Sequence, residues 1–167
     1  VQAAEQAGRR PDEGDLLRLA DAQQHLNSSA AQSATLEKLV AYYPKKDYWA
    51  ALLGRLPRKP GFSDRFALDV LRLKLATGNL TKTEDFMEMA QLALQTGYPA
   101  EGKAIVDKGF AAGALGTGPE AERHKRLRDL ANKQDAEVRA NIEKEVAAAG
   151  AAKDGNELVQ AGTVLAS

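Results

Sequence analysis

Apolar residues recur along this chain at spacings of three and four, the pattern of helices that bury one face. Pro11-Asp12 opens the first clear segment, with Leu16, Leu19, Ala20 and Leu26 on one side; it ends at Asn27-Ser28-Ser29. A second helix is predicted from about Ser29 to Tyr43, carrying Leu36, Leu39, Val40 and Tyr43 until Pro44 stops it. A short third holds Tyr48, Trp49, Leu52, Leu53 and Leu56, closed by the two prolines and glycine of "PRKPG". Ser63 is placed to cap a fourth, with Phe66, Val70, Leu71 and Leu73, finishing at Gly78-Asn79. Thr83 is placed to cap a fifth, Phe86 to about Thr96, and Pro99 stands in the first turn of a sixth that runs to about Ala112. Beyond "GALGTGP" a long charged segment spans Pro119 to Ala149, with a candidate break near Asn132–Asp135, and a last helix starts near Asp154.

Composition agrees with an all-α chain. The 167 residues are rich in alanine and leucine, and only 5% are aromatic. Charged residues make up 28% yet balance to a net charge of zero, which argues against a dedicated nucleic-acid binder with its usual basic excess. Cysteine is absent, so disulfides and thiolate metal sites are excluded, while the compartment stays open between cytoplasm and periplasm. No apolar run approaches the roughly 20 residues that span a bilayer. The chain begins at Val1 and ends inside a helical pattern, so the expectation is a piece of a longer protein, with any leader lost from its N-terminus.

The segments pair into helical hairpins, and the hairpins repeat. In residues 83–115 Phe86, Met89, Ala90 and Ala93 take the large, apolar and small positions of a first helix. Gly97 makes the turn, and Gly102, Val106 and Gly109 give small, large and small in the second helix, followed by Phe110. Residues 12–44 keep the spacing with Leu16, Leu19, Ala20, Leu36, Leu39 and closing Pro44, but depart at Gln32 and Leu39. Residues 45–79 match with Trp49, Leu52 and Leu53, through a longer turn. The first large positions, Leu16, Trp49, Phe86 and Leu158, are separated by 33, 37 and 72 residues, one repeat, one repeat and about two. On these residues the chain resembles the tetratricopeptide repeat (TPR) family, its alanine-rich bacterial members above all. The resemblance implies α-α hairpins stacked as a TPR-like right-handed solenoid. It would hold about three repeats in 1–115 (12–44, 45–79 and 83–115), a long charged helix or irregular repeat in 116–153, and the first helix of a truncated repeat in 154–167. A single non-repetitive helical bundle is the alternative.

Candidate chemistry is thin. Gly113, Gly116 and Gly118 precede a helix start, where an anion can bind, but no strand precedes them and no Walker or dinucleotide fingerprint is present. His25 and His124 are far apart in sequence and lack cysteine partners. Asp12-Glu13-Asp15 and Glu84-Asp85-Glu88 stand at helix starts, where negative charge suits the dipole. The basic run "RHKRLRDLANK" at 123–133 is interleaved with acids, as solvated helices are. Asn27 and Asn79 head glycosylation-type triplets, both in turns that favour Asn anyway.

No catalytic, metal or cofactor site is therefore expected. The expected function is a non-enzymatic protein–protein interaction scaffold or adaptor that binds a peptide or protein segment. By the resemblance, the concave face takes positions one, five and eight after each large residue: Leu17, Asp21 and Gln24, then Met87, Gln91 and Leu94. Met87 and Leu94 have an equal alternative, packing against a neighbouring helix. The alternative functions are a structural or regulatory helical segment without a groove ligand, or weak nucleic-acid binding through 123–133. Partner identity, oligomeric state and flanking sequence lie beyond these residues.

Overall fold

A computed structural model describes residues 1–151 together with Gly155, Val159 and Gly162, and these are all-helical, with no strand among the described residues. Two compact units form, Val1–Thr81 and Lys82–Ser167. The expected truncated repeat at 154–167 falls largely outside the described residues.

The first unit holds α1 (Gln2–Gln6), α2 (Glu13–His25), α3 (Ser29–Tyr42), α4 (Lys46–Leu53) and α5 (Ala67–Ala76). Neighbours in sequence pack together, α2 on α3, α3 on α4 and α4 on α5. Leu16, Leu36, Leu39, Val40 and Leu52 form the core, and Val1, Tyr43, Tyr48 and Trp49 pack partly buried against it. The polar departure at Gln32 has a structural explanation. Gln32 is 7% exposed and its Nε2 donates to Gln24 Oε1 at 3.0 Å, while Thr35 Oγ1 donates to Gln23 Oε1 at 2.8 Å. Two side-chain hydrogen bonds join α2 to α3 where a tetratricopeptide hairpin has a small residue, so the buried polar groups are satisfied rather than absent.

The second unit holds α6 (Thr83–Gln95), α7 (Pro99–Ala111) and α8 (Ala121–Ala151); α6 packs on α7, and α8 packs on both. Phe86, Met89, Ala90, Ala93 and Val106 are at most 2% exposed. Gly102 lets α7 approach α6, since a Cβ there would sit 3.3 Å from the carbonyl oxygen of Ala90 and 2.8 Å from Leu94 Cδ2. Gly109 makes room for Leu115, whose Cδ1 would lie 2.6 Å from an added Cβ. The glycines of this stretch therefore serve close approach and helix termination.

Four helices, besides the short α1 with Gly8 at φ 65°, end in one way. Asn27, Gly78, Gly97 and Gly113 take φ of 53°, 71°, 85° and 68° just after α2, α5, α6 and α7. In each case the next N–H donates back to a carbonyl of the last turn: Ser28 to Gln23, Asn79 to Lys74, Tyr98 to Ala93 and Ala114 to Gly109, at 2.7–3.0 Å. This is the left-handed cap that satisfies orphan carbonyls, and it turns the chain sharply.

Several sequence expectations shift. Ser63 makes no side-chain cap bond; a 3₁₀ turn, Asp64–Phe66, precedes α5, and Phe66 is 43% exposed rather than on a buried helical face. Thr83 lies inside α6, where its hydroxyl donates to the carbonyl of Ala114 at 2.7 Å. The candidate break at Asn132–Asp135 is absent, and α8 runs through it unbroken. The five-residue α1 was not predicted, being too short for a periodic signal; Lys38 on α3 pairs with its Glu5 at 2.8 Å.

Candidate functional site

The candidate surface starts from α2. Asp12 opens this helix, its carboxylate accepting from Gly14 N at 2.8 Å. Leu16 and Ala20 point into the core, and helical geometry turns Leu17, Asp21 and Gln24 to another side, where they share a stripe. All three are exposed, Leu17 by 42%. Asp21 lies 3.6 Å from His25 Nε2, and Gln24 is held by its bond from Gln32. The stripe is thus one branched apolar side chain beside an acid and an amide of fixed orientation.

The positions on α6 are placed differently. Met87 is 7% exposed, so it offers little surface. Gln91 and Leu94 are half-buried, and Leu94 lies over Gly102 of α7. Leu94 therefore packs on its hairpin partner, the arrangement named above as the alternative to groove lining.

The N-terminus of α2 is anchored by a polar latch that sequence reasoning missed. Lys45 Nζ lies 2.7 Å from Glu13 Oε1, the Tyr48 hydroxyl donates to the same carboxylate, and the Tyr43 hydroxyl donates to the carbonyl of Pro11 at 2.9 Å. Arg10 lies over the Tyr43 ring, 3.6 Å from its centroid. The hydrogen bond from Lys45, then that from Tyr48, holds the Glu13 carboxyl below its ordinary value. Glu13 in turn raises both Lys45 and Tyr48. These partners stand more than 30 residues apart, so no local pattern could reveal them.

Most of the other polar candidates from the sequence have structural partners. In the glycine-rich loop Gly116 N donates to His124 Nδ1 at 3.1 Å, and the N–H groups of Ala114 and Leu115 both donate to Gly109 O at 3.0 Å. The amides of Ala114, Leu115 and Gly116 are thus taken by protein acceptors and are not free to cradle a phosphate. His124, 3% exposed, is a buried loop anchor. His25 closes α2 at the surface. Asn79 donates to Lys46 O at 3.1 Å, anchoring its turn. In the basic run Arg123 pairs with Glu120, Arg128 with Asp107 at 3.0 Å, and Lys133 with Glu137. Lys103 and Arg128 together depress the Asp107 carboxyl. Among the described residues no group of three or more His, Asp or Glu could hold a metal ion, and no helix is long and apolar enough to cross a membrane.

No family model matches the chain, and neither a curated protein nor a solved structure matches it.

Proposed function

We propose that this chain is a non-enzymatic protein–protein interaction module built from TPR-like helical hairpins, and that α2 offers the surface that takes a peptide or protein segment. Support for the repeat comes from within each unit. Helices α2, α4 and α6 begin at Glu13, Lys46 and Thr83, about one repeat length apart, and each packs on the α-helix that follows it. Leu16 with Ala20 and Phe86 with Ala90 are buried at equivalent positions of α2 and α6.

The observation that carries the binding reading is Leu17, 42% exposed at the head of a stripe that continues through Asp21 and Gln24 on one face of α2. An exposed leucine with an acid and a hydrogen-bonded amide next along the same face resembles the apolar anchor and polar rim of recognition surfaces. Nucleic-acid binding through 123–133 is disfavoured by the acids interleaved with that run, in a chain whose net charge is zero.

Selection of peptides from a displayed library, followed by titration of the winners, tests the proposal. Leu17→Glu should weaken them about tenfold or more, the scale of a truncated anchor, while leaving the thermal melt unchanged. Peptides that bind wild type and Leu17→Glu alike would show that α2 is not the surface.

A further inference from the structure

The turn "PRKPG", which reads in sequence as a helix stop, forms one wall of a second candidate site. Its opposite wall is α3. Ser29, Ala30, Ser33, Ala34 and Glu37 lie along one face of that helix, and Arg55, Arg58, Lys59 and Pro60 face them across a cleft of about 690 Å³. That volume falls within the ~300–1,000 Å³ typical of ligand clefts. Three cations and one carboxylate line it, in a chain whose net charge is zero. Positive charge is therefore concentrated here.

The three cations differ in what holds them. Arg55 is fixed to the helix wall: its Nη2 donates to Ser29 Oγ at 3.0 Å and its Nε to Ser33 Oγ at 3.4 Å. Lys59 lies 3.8 Å from Glu37, with both side chains more than half exposed, a loose pair in water. Arg58 makes no ion pair or side-chain hydrogen bond among the described residues. The Ala30 and Ala34 methyls and the Pro60 ring supply the apolar part of the lining. Ser28 makes no side-chain cap at the start of α3, so the positive end of that helix adds to the potential at this end of the cleft.

We propose that this cleft binds an acidic peptide segment, with carboxylates spaced to meet Arg58 and Lys59 and small side chains against Ala30, Ala34 and Pro60. A peptide suits it better than a small anion because the cations are strung along one wall opposite the Ala30 and Ala34 methyls, and because the volume far exceeds a single oxyanion. Charge complementarity selects the acidic sequence. The site lies on α3 and the following turn, so it stands or falls independently of the α2 surface.

The test uses the 167-residue chain and a fluorescein-labelled octapeptide of alternating Glu and Ala, read by anisotropy at low salt. Binding is expected. It should weaken about tenfold or more for the Gln/Ala octapeptide, and likewise for the double substitution Arg58→Gln, Lys59→Gln, as loss of complementary charge requires. Glu37→Gln removes the competing carboxylate and should tighten binding about threefold. Because Arg58 and Lys59 are exposed, the double variant should melt as wild type does, which separates a lost site from a lost fold. Absence of binding, equal binding of the Gln/Ala peptide, or unchanged binding by the double variant overturns the proposal. So does displacement by low-millimolar sodium phosphate at constant ionic strength, which would mark a small-anion site instead.

Discussion

Gly102 and Gly109 share a face of α7, yet alanine should affect them differently. At Gly109 an added Cβ would lie 2.6 Å from Leu115 Cδ1 and 3.2 Å from Phe86 Cδ1, and both residues are 2% exposed and pinned. The overlap should outweigh the ~1 kcal/mol gain in helix propensity. Gly109→Ala is expected to lose about 1–3 kcal/mol, as overpacked cores do. At Gly102 the nearest atoms belong to half-buried Leu94, at 2.8 and 2.9 Å, with the Ala90 carbonyl oxygen at 3.3 Å. Gly102→Ala should lose less than Gly109→Ala, because half-buried Leu94 is less confined than the buried Leu115 and Phe86. Urea melts of the two variants decide this, and equal losses would refute the distinction. Ala90→Leu, at a fully buried position, should lose about 1–3 kcal/mol for the same reason as Gly109→Ala. The small residues of 83–115 were legible in sequence because their spacing repeats. Gln32 was legible only as a departure, since its partner Gln24 sits on another helix.

At the scale of elements, ends matter more than middles. His124 holds the α7–α8 loop through Gly116. His124→Ala should destabilise the second unit by about 1–3 kcal/mol, the cost of leaving a buried donor unpaired, and amide exchange at Gly116 should accelerate. Unchanged exchange would mean that the bond is not formed in solution. Helix existence and order were readable from periodicity, and Pro99, Gly97 and Gly113 marked their boundaries well. Ser63 and Thr83 misled because a hydroxyl before an apolar run fits several local structures. Here the chain prefers a 3₁₀ turn at Asp64–Phe66, and a tertiary bond from Thr83 to Ala114. The expected break in α8 rested on Asn132–Asp135. Asp135 is instead 7% exposed and bonded to Arg139 Nε at 2.9 Å within the helix, which keeps it helical.

For the whole molecule, each unit carries its own acid-sensitive carboxylate, Glu13 in the first and Asp107 in the second. Both are depressed by cations, so each contributes stability that is present above its unfolded-state value and lost as pH falls through the lower folded value. The loss should fall below pH 4.5 for Glu13 and below pH 3.8 for Asp107, the ordinary values of those groups. Lys45 is raised, so its contribution holds below its ordinary 10.5 and disappears as pH rises through the higher folded value. Glu13→Gln and Asp107→Asn should therefore be less stable than wild type at neutral pH and approach it near pH 3, as measured by denaturant midpoints. A gap that persists at pH 3 would assign these residues no ionic role. The i,i+4 pair of Lys103 and Asp107 on α7 is readable in sequence, but Lys45 and Arg128 come from segments remote from the acids they hold, so neither full cluster is. Nor could the sequence show that Met87 is buried while Leu17 is not. Both take the same place in the repeat pattern, and only packing separates them.

The account turns on α2 as a binding surface, and amide chemical-shift mapping of a selected peptide on the intact chain tests it most directly. The expected result is a set of shifts centred on Leu17, Asp21 and Gln24 that disappears in Leu17→Glu. Shifts that leave α2 untouched, or that survive the substitution, would contradict it.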